Sequence, residues 1–163
     1  SGVISPDLAE SWSVSADKRT YTLVLRSDVK WHDGVRFSAE DVAFTFRTLQ
    51  SPDARSVLAP SWDKVVVNVV DEQTVQFQLP ASYSDLFSAL SHVGILPEHS
   101  LKGLKLSQLR LDDFNRQPNG TGPFILEGLE ANSDTVRLRR NPDYYGGAAL
   151  LDKIEFRQFD DVT

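Results

Sequence analysis

The 163-residue chain contains neither cysteine nor methionine. Without cysteine it can form no disulfide, no thiolate metal site and no cysteine nucleophile, although this absence does not select a cellular compartment. Because not even position 1 is methionine, we interpret the chain as cut from something longer or as carrying a tag remnant. The absence of a visible signal peptide is therefore uninformative.

The chain also lacks long apolar runs, low-complexity segments and an excess of positive charge. No run approaches the roughly 18 apolar residues that a membrane span needs. The net charge of −6 disfavours a nucleic-acid surface, which requires clustered Lys and Arg. What is present is 40% apolar residues, including 9 Phe, 4 Tyr and 3 Trp. This composition predicts a folded domain, or one small domain plus part of another, with a substantial core.

Two pairs of strand patterns predict antiparallel hairpins. Residues 8–14 and 20–26 flank a polar run, and residues 65–70 and 74–79 flank a second polar turn. The 65–70 segment is apolar on both faces, so we predict an interior strand. Residues 74–79 alternate instead, which places three side chains inward: Val75, Phe77 and Leu79.

A capped helix follows the Asp33-Gly34 turn. Ser38 is the predicted N-cap, and Asp41 completes a capping box three residues later. The helix is expected to reach about Gln50 and to stop before Pro52. Its apolar stripe comprises Ala39, Val42, Phe46 and Leu49.

The rest of the chain carries weaker signals. Residues 83–90 predict a short helix, 93–96 a short strand or extended run, and 101–114 a helix or a surface loop. The run Asn119-Gly120-Thr121-Gly122-Pro123 is the sharpest break and a plausible domain boundary. Beyond it lie three strand candidates: residues 124–127, 135–140 and 153–159.

Enzymatic motifs are missing from the sequence. There is no G-x-S-x-G elbow, and the Gly120-Thr121-Gly122 loop lacks the lysine and the following helix of a P-loop. A structural turn is therefore preferred to a phosphate site there. The adjacent pair Glu40 and Asp41 could serve as acid and base, but capping accounts for both. We predict that the chain is not an enzyme.

Metal sites are not predicted either. The three histidines include no pair at the i, i+4 spacing, and Pro97 separates His92 from His99. The paired carboxylates Asp112-Asp113 and Asp160-Asp161 lack the alternation of a calcium loop and are interpreted as solvated surface. No cofactor is predicted. The basic cluster Arg137, Arg139 and Arg140 favours a solvated or salt-bridged strand face, with an anion-facing role as the alternative.

Nearly the whole chain resembles the family 5 extracellular solute-binding proteins, the peptide- and nickel-binding receptors of ABC importers. The resemblance lies in an ordered series of motifs: LAESW at residues 8–12, TYTLVLR at 20–26, VKWHDG at 29–34, FSAEDVAF at 37–44, ILP at 95–97, NGTGPF at 119–124, RNPDYY at 140–145 and LDKI at 151–154. Tyr145 departs from the tryptophan that is usual in the family.

The resemblance implies a fold and a division into domains. We expect an α+β fold, with a mixed, mostly antiparallel sheet and a few short helices, as a fragment of a periplasmic-binding-protein type II fold. Residues 1–118 are expected to be the small accessory domain of the first lobe. Residues 119–163 are expected to be strands returning to that lobe, while the second lobe and a strand preceding Ser1 are expected to be absent. A fragment of this kind is expected to bind no peptide tightly by itself.

The resemblance further implies that the chain is part of a periplasmic protein or cell-surface lipoprotein that captures peptides or a related small solute and delivers it to a membrane permease. We expect a monomer that binds no nucleic acid. The alternative is the ligand-sensing domain of a transcriptional regulator that borrows this fold.

Two residues are candidates for ligand binding on the strength of the resemblance. If the segment up to Val65 is aligned without gaps, the resemblance places Arg55 where nickel-binding members have an arginine that contacts an anionic chelator. His92 precedes a strand that lines the cleft in the family. A surface arginine after a helix and a solvated histidine are the alternatives. The three tryptophans are interpreted as core or rim residues: Trp12, Trp31 and Trp62.

Overall fold

The computed structural model describes residues 4–128 and 135–158. It contains seven strands: β1 Ala9–Val14, β2 Thr20–Leu25, β3 Val66–Val69, β4 Thr74–Gln78, β5 Phe124–Gly128, β6 Thr135–Arg140 and β7 Lys153–Arg157. Its α-helices are α1 Ala39–Gln50, α2 Ala59–Trp62, α3 Leu86–Leu90 and α4 Glu98–Leu101. Short 3₁₀ turns span Pro52–Ala54, Leu106–Leu111 and Asp113–Asn115.

The strands form two separate sheets in which every described pairing is antiparallel. The first sheet has the order β1-β2-β4-β3, and the second has the order β5-β6-β7. The mixed α+β, antiparallel prediction is thereby confirmed. Among the described helices, none combines the length and apolar character that crossing a bilayer would need.

The chain divides into two compact units. The first combines the chain up to Ser27 with Phe37–Leu109, and the second combines Asp28–Arg36 with the chain from Arg110 onward. The Asn119–Pro123 turn therefore lies inside the second unit, and the boundary lies at Leu109. Whether these units correspond to an accessory domain and a first lobe, as predicted for residues 1–118 and 119–163, stays a prediction.

The first unit is built around helix α1 and the inner face of its sheet. Both halves of the predicted capping box, between Ser38 and Asp41, are present at the start of α1. The predicted stripe is buried along with the inward residues of β4, and Phe77 makes an edge-on contact with Phe46 at 5.0 Å between ring centroids. Apolar burial of this kind is the main source of stabilisation in a small domain.

One strand prediction is wrong. The 65–70 segment, expected in the sheet interior, forms β3 at an edge of the described sheet and pairs only with β4 there. Val66 is 51% exposed, and Val70, just beyond the strand, is 60% exposed. Valine favours extended backbone at an edge as well as in the centre, so apolar content alone could not decide the position.

Several boundaries differ from the predictions. The helix predicted over 83–90 begins only at Leu86. Tyr83 lies before it, where its carbonyl accepts a hydrogen bond from the Tyr21 hydroxyl at 3.0 Å. Residues 93–96 are extended without strand pairing, and 101–114 contains 3₁₀ turns after α4. The second sheet follows the predicted strands, although Phe159 and Asp160-Asp161 lie outside the described residues.

Candidate functional site

Arg55 closes the 3₁₀ turn that follows helix α1. Its backbone has φ 50° and ψ 40°, a left-handed conformation that is uncommon for a residue other than glycine. Its amide donates to the Pro52 carbonyl at 3.2 Å, and its side chain is exposed. The strain at this position is explained by the turn, and it places a guanidinium on the surface of the first unit.

His92 lies just after helix α3 and is exposed. Its Nδ1 lies 2.6 Å from the Ser88 carbonyl, which can only accept, so Nδ1 carries the hydrogen of this bond. The residue lines a cavity of about 660 Å³ in the first unit, whose aromatic lining residues are Trp62 and Tyr83. Arg55 is not among the lining residues, and no hydrogen bond or ion pair joins it to His92. Arg55 and His92 therefore do not share a site in the structure. Their roles in ligand binding stay predictions.

A second cavity of about 680 Å³ lies between the sheet and the segment around helix α3 in the first unit. Trp12 lines it and packs against Phe87 at 5.3 Å between ring centroids. Trp31 and Trp62 are each 3% exposed. Burial confirms Trp31 and Trp62 as core residues, whereas the interpretation of the half-buried Trp12 as a rim residue stays a prediction.

Helix α1 also holds the extended segment that follows His92, a feature that sequence reasoning missed. The Asp41 carboxylate accepts from the Ser38 amide at 2.9 Å with one oxygen and from the Glu98 amide at 2.8 Å with the other. One turn later, the Thr45 hydroxyl accepts from the Leu96 amide at 2.8 Å. Asp41 is 3% exposed, so the capping residue is at the same time a buried clamp on a distant segment.

In the second unit, the segments that carry the HDG and NGTGP motifs meet. The His32 amide donates to the Gly120 carbonyl at 2.8 Å, and Asn119 Nδ2 donates to Asp33 Oδ2 at 2.7 Å. The His32 ring contacts backbone groups of Gly120 and Gly122. These contacts agree with the interpretation of the Asn119–Pro123 segment as a structural turn. The sequence did not show that the HDG segment is its partner.

Two arginines of strand β6 form ion pairs along the second sheet. Arg137 Nε lies 3.1 Å from Glu155 Oε1, and Arg140 Nη2 lies 2.9 Å from Asp152 Oδ1. Hydrogen bonds from Arg157 and then from Arg137 lower the pKa of Glu155. The predicted solvated or salt-bridged face is therefore confirmed for Arg137, which is paired, and for Arg139, which is exposed, while Arg140 is paired from the alternate position.

Carboxylates and histidines form no cluster of three or more suited to a metal ion within the described parts of the chain. Asp112 instead caps the following 3₁₀ turn, where its Oδ1 accepts from the Phe114 amide at 2.9 Å. Glu40 forms an exposed ion pair with Arg47 at 3.2 Å. These carboxylates have local structural partners.

The sequence and the fold of this region together point to one class of protein. The family model described as "Bacterial extracellular solute-binding proteins, family 5 Middle" matches residues 3–163. The chain therefore belongs to this family. The family consists of solute-binding transport proteins that act outside the cytoplasmic membrane. Its members have the periplasmic-binding-protein type II fold, as predicted.

Among its relatives, the chain is 37% identical over 95% of its length to a Brucella ovis protein provisionally named an ABC transporter peptide-binding protein. The match covers 29% of that relative, so the chain spans less than a third of its length. The chain is also similar to the oligopeptide-binding protein AppA of Bacillus subtilis, solved with a nonapeptide (TM-score 0.86, 27% identity, 94% of this chain and 31% of that one). NikZ of Campylobacter jejuni, solved with Ni(L-His), matches with TM-score 0.84 and 32% identity over 94% of this chain and 30% of that one.

Proposed function

We propose that the chain is part of the receptor of an ABC importer, which captures a peptide or a related small solute and delivers it to a membrane permease. The observation that carries this proposal is the family match over residues 3–163. The likeness to a receptor solved with a nonapeptide supports it. No observation on the described residues favours the alternative of a regulator's sensing domain.

The preferred ligand class is peptides. The Brucella relative is named for peptide binding, and AppA was solved with one. NikZ has nearly the same fold over this region and was solved with a nickel–histidine complex. Because such similar folds accompany such different ligands, the fold of this region does not select the ligand. Peptides are preferred because the relatives are named for peptide binding.

The proposed mechanism is closure of two lobes around an extended ligand. Peptide backbone would pair with strand edges, and side chains would enter pockets. Closure would exclude water and present the permease with a shape that differs from the empty receptor. We further propose that the receptor is monomeric, is not an enzyme and binds no nucleic acid. It would act in the periplasm or, as a lipoprotein, at the cell surface.

Arg55 and His92 are proposed as ligand contacts. Arg55 presents an exposed guanidinium, which would suit a carboxylate of a peptide or chelator. His92 lines a cavity with aromatic walls, and its Nδ1 is engaged with Ser88, which leaves Nε2 for a ligand. The two residues would act independently, since the structure joins them in no common site.

The test is calorimetric titration of the complete gene product with a panel of two- to nine-residue peptides, nickel–histidine and opines. We expect peptide binding with a dissociation constant in the micromolar range or below, and a several-fold loss for Arg55→Ala or His92→Ala. Arg47→Ala is the matched control, because Arg47 is exposed on α1 and pairs only with Glu40.

Uptake completes the test. Deletion of the gene should abolish import of the peptides that bind. Binding of nickel–histidine or an opine without peptides would overturn the ligand class, while binding of none of these solutes would contradict the receptor function itself. Unchanged affinity in both alanine variants would remove the two residues from the site.

A further inference from the structure

The His32 ring is held between two backbone groups of the Asn119–Pro123 turn. Its Nε2 lies 3.0 Å from the Gly122 carbonyl oxygen, and the Gly120 amide donates to its Nδ1 at 3.3 Å. The ring also packs over Gly120, where an added Cβ would lie 3.3 Å from His32 Cε1. One imidazole therefore contacts both glycines of the turn.

The partners assign the protonation state of this ring. A carbonyl oxygen can only accept, so Nε2 must carry a hydrogen. A backbone amide can only donate, so Nδ1 must offer its lone pair. Both bonds exist together only in the neutral Nε2–H tautomer, because the imidazolium cation has no acceptor nitrogen.

The same turn is anchored by a neighbouring side chain. Asn141 is 4% exposed; its Nδ2 donates to the Gly122 carbonyl at 3.0 Å, and its amide donates to the Pro123 carbonyl at 2.9 Å. The Gly122 end of the turn thus has two side-chain donors. The Gly120 amide, by contrast, is bonded to Nδ1 of His32.

We propose that His32 is a positioning residue that acts as a proton-sensitive latch on the Asn119–Pro123 turn. As the neutral Nε2–H tautomer it holds the Gly120 amide. A second proton on Nδ1 removes the acceptor of the Gly120 amide. The Nδ1–H and the Gly120 N–H then repel each other, and the amide is released. The Gly122 end stays bound through Asn141, and the Gly120 carbonyl stays bound to the His32 amide, so the release is confined to the Gly120 amide.

The two hydrogen-bond partners of the ring do not titrate, since they are backbone groups of Gly120 and Gly122. His32 lies in a loop closed by an antiparallel bridge between Lys30 and Arg36, and Asp33 is the other charged residue of that loop. Asp143 follows Asn141 by two positions. Asp33 accepts from Asn119 and from the Val35 amide, and the Asp143 amide donates to Asn141 Oδ1. A substitution at Asp33 would separate the effect of the Asp33 charge on the Gly120 amide from the effect of the proton on the His32 ring.

His92 provides a matched contrast. Its Nδ1 donates to a carbonyl, and an imidazolium retains that donor, so a second proton leaves the bond in place. The two histidines should therefore respond to acidification in opposite ways: the His32 bond to Gly120 is lost, and the His92 bond to Ser88 persists.

The test is NMR on the 163-residue chain. Imidazole ¹⁵N shifts should show the Nε2–H tautomer for His32 and the Nδ1–H tautomer for His92. The protection factor of the Gly120 amide, corrected for intrinsic exchange, should fall roughly fivefold to tenfold as the His32 ring is protonated, the scale of one lost hydrogen bond. The Gly122 end should change less.

Two variants complete the test. In His32→Phe the protection of Gly120 should be low and independent of pH, whereas His92→Phe should leave the wild-type response intact. Should His32→Phe not fold, the wild-type tautomer and protection measurements still decide. An Nδ1–H tautomer at His32, or a Gly120 protection factor that stays constant while the ring titrates, would overturn the latch.

Discussion

Each of the two units is stabilised internally by a different kind of interaction. In the first, the stripe of α1 and the inner face of the sheet are fully buried: Phe46 is 1% exposed and Phe77 0%. In the second, strands β6 and β7 expose charged side chains, such as Arg137 paired with Glu155, and Phe156 is 58% exposed. Its short connecting segments are instead tied by hydrogen bonds to the His32 ring.

This difference separates two ways of fixing a chain. Apolar burial is strong and non-directional, so the first unit tolerates variation in contact geometry as long as volume is kept. Hydrogen bonds are directional and contribute little net energy each, but they define one conformation of a turn. We expect the first unit to carry most of the stability, and the second to be more sensitive to protons and salt.

The largest expected effect comes from emptying the apolar core. Phe77→Ala should lower the free energy of unfolding by about 3–5 kcal/mol, because it removes a fully buried ring and leaves a cavity. The matched variant Phe156→Ala in the second unit should cost about 0.5 kcal/mol, as expected for an exposed position. Urea denaturation followed by fluorescence measures both, and equal losses would erase the proposed contrast.

A smaller loss is expected at the buried Asp41 carboxylate of the first unit. Asp41→Asn keeps the shape but turns an amide group toward either the Ser38 or the Glu98 donor, so we expect a loss of about 2 kcal/mol. Glu40→Gln, on the neighbouring exposed residue, should cost about 0.5 kcal/mol or less. If the two variants were equally stable by the same denaturation assay, the clamp would be irrelevant to stability.

The smallest effect concerns pH and salt at the surface of the second sheet. Hydrogen bonds from Arg157 and Arg137 lower the pKa of Glu155, whereas the Ser15 hydroxyl and the Arg19 amide lower the pKa of Asp17 in the first unit. A lowered folded pKa means stability that is present above the unfolded pKa and lost as the pH falls through the folded pKa.

The two carboxylates should differ in their response to salt. Added salt should raise the pKa of Glu155 toward its ordinary value more than that of Asp17, because the former is held by charged partners. Carboxyl ¹³C titrations at low and high ionic strength measure both groups in one sample, with Arg157→Gln expected to raise the pKa of Glu155. Identical salt responses would show that charge does not distinguish these sites.

Local patterns predicted much of the secondary structure. The hairpin of β1 and β2 and the capped helix α1 were recognisable because their signals, alternation and a Ser–Asp capping box, lie within a few residues of one another. The position of β3 was not recognisable, since a valine-rich strand fits an edge or the interior. The proposed ligand roles of Arg55 and His92 rest on the family resemblance, because no local pattern says which groups surround a side chain in the folded protein; only the structure places His92, and not Arg55, at the wall of a cavity.

The sequence by itself determined the family, the antiparallel pairing of neighbouring strands and the start of α1, because these depend on residue order and short-range spacing. Only the tertiary structure decided which distant backbone groups each polar side chain holds. Asp41 reaches Glu98 across 57 residues, and His32 reaches Gly122 across 90. A hydrogen bond requires atoms to lie within about 3 Å of each other, and that proximity exists only once both units have folded.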